Sequence, residues 1–122
     1  MAKLQTHAGV LAYFLKKPGA SDSYPFGPGA RVLKAGGKMF GLIGEDEETL
    51  TLNLKCDPED ALALRAAYPT LVRPGYHMNK KHWNTVVVGE GLPDDVLREM
   101  IDHSYALVVA SLPKAVRAKL ER

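Results

Sequence analysis

Residues 31–55, R-V-L-K-A-G-G-K-M-F-G-L-I-G-E-D-E-E-T-L-T-L-N-L-K, decide the class of fold. In Glu48–Lys55 a leucine stands at every second position from 50 to 54, and this period is typical of a half-buried antiparallel strand. Arg31–Ala35 and Lys38–Ile43 flank Gly36-Gly37, a two-residue hairpin signal, because both glycines tolerate positive φ. The stretch therefore predicts three consecutive antiparallel strands.

Helical patterns lie on both sides of these strands. From Thr6 to Lys17 apolar residues recur on one helical face, and Pro18-Gly19 ends the pattern. Asp57-Pro58 predicts the start of a second helix, with Asp57 as its cap and proline in the first helical position. Ser21–Gly29, which ends in several prolines and glycines, is interpreted as a loop.

The C-terminal half adds one strand and two helices. Trp83–Val88 is rich in β-branched residues, and Pro93 precedes the longest helical pattern, which runs to Pro113 and is followed by a short basic helix. The predicted order is α-β-β-β-α-β-α-α. A run of strands with helices on both sides indicates an α+β fold of two layers, in which helices cover one face of an antiparallel sheet. The polar side of the third strand marks the other face as open.

Length and composition point to one ordinary globular domain over residues 1–122. Hydrophobic residues make up 46% and charged residues 25% of the chain, which excludes disordered and fibrous classes. No apolar run approaches the roughly 18 residues of a membrane span, and the N-terminus shows no signal-peptide pattern. Cys56, the single cysteine, excludes an intramolecular disulfide. We therefore expect a cytoplasmic protein with no membrane partner.

The charges come in alternating blocks. The net charge is +2, but residues 1–44 carry +5, residues 45–60 carry −6 and residues 61–85 carry +4. The acidic run that begins at Glu45 is interpreted as a solvated turn. Such blocks can fold into one basic side and one acidic side, or they can mix in space, and the sequence leaves both possibilities open.

Arg73–Thr85, R-P-G-Y-H-M-N-K-K-H-W-N-T, has the densest chemistry of the chain. Its lysines can neutralise phosphates, Tyr76 and Trp83 can stack on bases, and Asn79 or Asn84 can hydrogen-bond to sugars or base edges. The alternative is that the two aromatic residues pack at a sheet edge and that the lysines are only solvated. As a core prediction, we expect Trp83 to be largely buried against the final long helix.

The other candidate sites lack the residues or the spacing that their chemistry requires. His77 and His82 lack a third ligand, and Cys56 has no base that the sequence can place beside it. Asp102-His103-Ser104 cannot form a hydrolase triad, since successive helical residues point about 100° apart; His103 is expected to pair with Glu99 instead. Gly36-Gly37-Lys38 lacks the Ser or Thr of a phosphate loop. We predict no catalytic residue, no metal site and no cofactor.

Several longer motifs make the chain similar to a known family. It resembles the MmcQ/YjbR family from about Pro18 to Pro113, with mild departures at Ala35 and Gly41. The motifs that carry the resemblance are P-G-A at 18–20, Y-P-F-G at 24–27, K-A-G-G-K-M-F at 34–40, L-K-C-D-P at 54–58, P-G-Y-H-M-N-K-K-H-W-N-T at 74–85 and H-S-Y at 103–105.

The resemblance implies a frataxin-like (CyaY-like) two-layer fold without catalytic activity. It also implies nucleic-acid binding by a "double wing" of β-hairpins, here the Gly36-Gly37 hairpin and the Arg73–Trp83 loop. We hypothesise a small monomeric bacterial DNA-binding or regulatory protein, not an enzyme, that contacts the nucleic-acid backbone. The alternative is a small-molecule or protein-binding module with a pocket lined by Tyr76–Trp83. The candidate binding residues are Lys34, Lys38, Arg73, Tyr76, His77, Asn79, Lys80, Lys81, His82 and Trp83.

Overall fold

Six antiparallel strands form a single sheet within the part of the chain that the structure describes. The computed structural model describes residues 3–45, 48–75 and 78–120. In chain order the strands are β1 (Ala20–Ser23), β2 (Ala30–Ala35), β3 (Lys38–Gly44), β4 (Thr51–Lys55), β5 (Val72–Pro74) and β6 (Trp83–Val87). Across the sheet their order is β1-β2-β3-β4-β6-β5. Each pair of neighbours is antiparallel, as the alternating pattern of the leucines predicts.

The described residues also form four helices, which pack on one face of the sheet. They are α1 (His7–Leu15), α2 (Pro58–Ala67), α3 (Asp94–Ala110) and α4 (Lys114–Leu120). The long helix α3 lies over β3 and β4, and α2 lies beside β5. The predicted two-layer α+β class is therefore confirmed. No helix in the described part of the chain is long and apolar enough to cross a membrane.

Residues at the starts of α1 and α2 explain where these helices begin. The Thr6 hydroxyl accepts a hydrogen bond from the Gly9 amide at 3.0 Å and caps α1. Pro58 occupies the first turn of α2 as predicted, and Asp57 holds the cap position, although its side chain makes no capping hydrogen bond. The fixed φ of proline thus contributes to the start of α2 where the expected side-chain cap does not.

An aromatic cluster fills the core between the sheet and the helices. Phe40 of β3 meets Phe14 and Tyr105 edge to face, with ring centroids 5.5 and 5.3 Å apart. A Cβ atom on Gly41 would lie 2.5 Å from Cε1 of Phe14. The glycine that looks like a departure from the family pattern therefore makes room for the ring of Phe14.

The two edge strands were not predicted. β1 falls in the stretch interpreted as a loop, and β5 includes Pro74, a residue type that argues against a central strand. Each of them pairs with only one neighbour, β1 with β2 and β5 with β6. An edge strand can be short and polar, since its outer side needs no apolar pattern, and proline is tolerated there. The chain consequently has two more strands than its hydrophobic pattern indicates.

Glu45, at the end of β3, corrects the prediction of a solvated acidic turn. Its side chain is only 16% exposed and pairs with His7 and Arg31, and Tyr24 Oη donates to it at 2.5 Å. Partial burial alone would raise the pKa of Glu45, but the hydrogen bonds from Tyr24 and His7 and the charge of Arg31 lower it. Asp46 and Glu47 lie outside the described residues.

Candidate nucleic-acid interface

The helix-free face of the sheet carries cations and no carboxylate at its strand positions. Lys34, Lys55 and Arg73 each follow a core residue, namely Leu33, Leu54 and Val72, and therefore point away from the helices. In the middle of this face Thr85 Oγ1 donates to Asn53 Oδ1 at 2.5 Å. The register gives the helix-free face, among the described strands, these positions: Ser21, Ser23, Val32, Lys34, Met39, Leu42, Thr51, Asn53, Lys55, Arg73, Trp83, Thr85 and Val87.

The three cations recur on every second strand. Lys34 is on β2, Lys55 on β4 and Arg73 on β5, with β3 and β6 between them. Since neighbouring strands lie about 4.8 Å apart, the three positions are spaced by about 10 Å across the sheet. No acid of the described residues forms an ion pair with them. Lys55 was not among the predicted site residues, although it belongs to the polar side that sequence analysis noted on the third strand.

Trp83 lies on the same face, and the prediction that it is buried against the long helix is wrong. Strand β6 turns Asn84 and Val86 toward the core, so Trp83 faces the other way and is only partly buried. Its register partner is Lys55. The alternation of the strand places Asn84 in the core instead, so the prediction that Asn84 can contact a sugar or base edge is wrong.

Because Trp83 is only partly buried, its replacement should lower the free energy of unfolding by less than the loss of a fully buried ring would. We expect Trp83→Ala to lower the free energy of unfolding by about 1–2 kcal/mol, since only part of the ring is removed from water. Urea denaturation followed by far-UV circular dichroism measures this, with Trp83→Phe as the control that keeps an aromatic ring. A loss of about 4 kcal/mol, typical of a fully buried ring, would contradict the observed orientation.

The loop before β6 presents two exposed lysines. Lys80 and Lys81 are exposed, and Asn79 Oδ1 accepts from the Lys81 amide at 2.9 Å, so this side chain stabilises the turn. Lys80 Nζ donates to the Gly75 carbonyl at 3.1 Å. His82, which is half-buried, accepts a hydrogen bond from the Cys56 amide at its carbonyl. Tyr76 and His77 lie outside the described residues.

Arg65 of α2 holds this loop in place, and sequence analysis did not identify it. Its Nε donates to Asn84 Oδ1 at 2.8 Å, and its Nη2 donates to the carbonyls of Trp83, at 3.2 Å, and Lys80. The guanidinium thus joins a helix to the start of β6. The sequence held one signal, a single arginine in a helix whose first turn is acidic.

Lys38 is not part of the helix-free face. Gly36 and Gly37 have φ of 58° and 84°, which confirms the predicted hairpin. Lys38 pairs with Ala35, a core residue, and its Nζ lies 3.3 Å from Ser111 Oγ at the end of α3. The two lysines of this hairpin therefore lie on opposite faces of the sheet, and of the two candidate binding residues only Lys34 belongs to the helix-free face.

Acidic residues gather at the helix side of the sheet. His103 Nε2 lies 3.4 Å from Asp57 Oδ2 and 3.7 Å from Asp60 Oδ2, so its partners are these two residues and not the predicted Glu99. The ligand atoms of the three residues lie within 4.8 Å of one another, a spacing that can hold a metal ion. The sequence could not indicate this cluster, because His103 is 46 positions from Asp57.

The other residues that attract a catalytic interpretation have structural roles or are unreactive. The Ser104 hydroxyl donates to the Phe40 carbonyl at 2.5 Å and accepts from the Lys55 amide at 2.9 Å. Asp102 instead accepts from Tyr13 Oη at 2.8 Å, so Asp102, His103 and Ser104 form no hydrogen-bonded chain. Burial, with the nearby carboxylates, raises the pKa of the Cys56 thiol to about 11 and keeps it neutral at pH 7.

Comparison with known proteins identifies the family to which this two-layer domain belongs. The family model described as YjbR matches residues 15–107. The chain is 41% identical over 114 residues to protein YbdF of Escherichia coli O157:H7, which covers 93% of each chain. It is 36% identical over 115 residues to protein YjbR of Escherichia coli strain K12, which covers 94% of this chain and 97% of that protein. The chain therefore belongs to the YjbR family, as the motifs predicted.

Two crystal structures have the same fold. A Deinococcus radiodurans protein with the domain DUF419 superposes with a TM-score of 0.90 at 35% identity, covering 97% of this chain and 89% of that one. A Pseudomonas syringae protein superposes with a TM-score of 0.71 at 24% identity, covering 84% of this chain and 98% of that one. The arrangement of sheet and helices is thus common to all three proteins.

Proposed function

We propose that the protein binds DNA through the helix-free face of its sheet. The observation that carries the proposal is the distribution of charge. The strand positions of that face have Lys34, Lys55 and Arg73 without any carboxylate, whereas Asp57, Asp60 and other acids belong to the helix side. Glu90 stands at the rim of this face, where it lines a depression with Arg73 and Val87, and the cations of the strands outnumber it. A predominantly positive surface attracts a polyanion and orients it.

The chemistry of this face favours a single strand over a duplex. Cations about 10 Å apart can each neutralise a different phosphate, and Trp83 between them can stack on a base. An indole ring on the face of a sheet can stack on a base only where that base is unpaired. Asn53 and Thr85, beside Trp83, supply hydrogen-bonding groups for sugars or base edges.

In this proposal the protein acts as a monomer and has no enzymatic activity. Its affinity comes from phosphate contacts, so sequence specificity is weak. The alternative, a ligand pocket lined by Tyr76–Trp83, stays a prediction, since Tyr76 and His77 lie outside the described residues. The partly buried position of Trp83 suits either role, and the salt dependence of binding separates them.

Salt dependence tests the proposal through a specific slope. With five phosphates neutralised, by Lys34, Lys55, Arg73, Lys80 and Lys81, log K for single-stranded DNA should fall with log salt at a slope of about −3 to −4. Replacing Lys80 and Lys81 together by alanine should flatten the slope by about 1.5 and weaken all sequences alike. Fluorescence anisotropy of a labelled 20-nucleotide strand and its duplex, at several salt concentrations, measures both.

The matched control removes the same charge from the helix side. Lys16 and Lys119 are exposed residues of the helical layer, and the double alanine variant of these two should keep the slope of the unmodified protein. Absence of binding at low salt would refute the proposal. The same holds if the Lys80/Lys81 and Lys16/Lys119 variants lose equal affinity.

A further inference from the structure

The helical layer has a gap between α2 and α3. A groove of 500 Å³ lies there, on the opposite side of the sheet from the proposed DNA interface. Leu54 and the buried Cys56 lie on its sheet side. Ala63 and Ala67 line it from α2 at helical spacing, and their methyl groups are too small to fill the space. A volume of this size is typical of sites for small molecules.

The groove is apolar inside and acidic at its edge. Val96 and Met100 of α3 line it together with Leu64 of α2. The carboxylates that border it are Asp60 and Glu99, one from each helix, and both are exposed. Lys55 also borders the groove, but its position on β4 turns its side chain toward the helix-free face. Two carboxylates from facing helices therefore stand at the edge of an apolar space.

We propose that this groove binds a small organic ammonium ion with an apolar body. The body packs between the alanines of α2 and Met100 of α3, and the ammonium group is held between Asp60 and Glu99. An apolar interior favours a hydrophobic group over water, and two carboxylates favour a positive charge. A neutral ligand gains only from the burial of its apolar body, and the two carboxylates repel an anion.

The pKa of the Cys56 thiol is raised in part by carboxylates near the groove. Burial contributes most to the raised pKa of this thiol, and the carboxylates of Asp60 and Asp57 contribute next. The pKa is raised to about 11. A potential that disfavours a thiolate on the sheet side of the groove also disfavours an anionic ligand and favours a cation. His103 also lines the groove, on the side where it lies against Asp57 and Asp60.

Three probes of the same shape test the charge selectivity. Phenethylammonium, phenethyl alcohol and 3-phenylpropionate are titrated into ¹⁵N-labelled protein, in buffer with EDTA, and amide chemical shifts are followed. We expect the ammonium probe to bind with a dissociation constant of about 1 mM or lower, and the alcohol to bind about tenfold more weakly. The carboxylate should bind more weakly still. The shifted amides should lie in residues 54–56, 60–67 and 96–103.

Two pairs of variants place the probe in the groove. Ala63→Leu fills the space and should abolish the shifts, whereas Ala66→Leu adds the same group at an exposed position of α2 that does not line the groove. Asp60→Asn with Glu99→Gln should weaken ammonium binding about tenfold. Glu59→Gln with Asp95→Asn removes the same charge from outside the groove and should leave the affinity unchanged.

Three results would overturn the proposal. They are equal binding of the ammonium and alcohol probes, unchanged binding to the Ala63→Leu variant, and a response that appears only when ZnCl₂ replaces EDTA. The last result would assign the site to a metal ion held by Asp57, Asp60 and His103. DNA affinity of the Ala63→Leu variant should stay unchanged, so this test is independent of the proposed DNA binding.

Discussion

Phe40→Ala should lower the free energy of unfolding by about 3–5 kcal/mol, the largest effect that we expect from any single substitution. Phe40 has no exposed surface and packs edge to face against both Phe14 and Tyr105. Its truncation removes two ring contacts and leaves a cavity between the sheet and α3. Because the two rings that contact Phe40 belong to different helices, α1 and α3, the cavity cannot close by a small shift of one of them.

Urea denaturation followed by circular dichroism measures this loss. Phe40→Leu is the control, because it keeps most of the volume and should cost less than half as much. A loss below about 1 kcal/mol for Phe40→Ala would show that the aromatic cluster is not the centre of the core.

Arg65→Ala should lower the free energy of unfolding by about 2–3 kcal/mol, the second largest effect. Asn84 has no exposed surface, and its Nδ2 has no partner among the described residues, so Arg65 supplies the hydrogen bond of its side chain. Without the guanidinium, both polar atoms of this buried amide are unpaired. The carbonyls of Lys80 and Trp83 also lose a charged donor.

The control for this prediction is Arg65→Lys. An ammonium group keeps the charge but cannot form the forked contacts, so this variant should recover less than half of the loss. The same denaturation experiment compares the two variants. If Arg65→Lys were as stable as the unmodified protein, the charge alone would account for the effect and the positioning role of the fork would be wrong.

The sequence predicts the centre of this fold better than its edges. The leucines of β4 and the Gly36-Gly37 turn are local signals, since alternation and positive φ are properties of a few consecutive residues. The edge strands β1 and β5 have no such signal. They form because β2 and β6 each have an unpaired side that can accept a partner strand. Pairing of this kind depends on tertiary structure and leaves little trace in composition.

The candidate site shows the same limit. The basic segment around Lys80 was identified from residue types. The two-residue turn at Gly36-Gly37 held a further signal that was not used, since such a turn pairs Ala35 with Lys38 and so puts Lys34 and Lys38 on opposite faces. Their separation depends on the pairing register, in which Lys38 stands opposite the core residue Ala35. The role of Arg65 depends on a contact between a helix and a loop. The helix-free face is thus a property of the folded sheet and not of any one motif.

The most direct test of the central claim compares two triple variants with equal loss of charge. One replaces Lys34, Lys55 and Arg73 by glutamine, and the other replaces Lys16, Lys38 and Lys119, all exposed residues of the helix side. Anisotropy at 0.1 M salt measures the affinity of each for the same single-stranded 20-mer. We expect a loss of about 30- to 100-fold for the first variant and less than about threefold for the second. Equal losses would contradict the proposal that the helix-free face binds DNA.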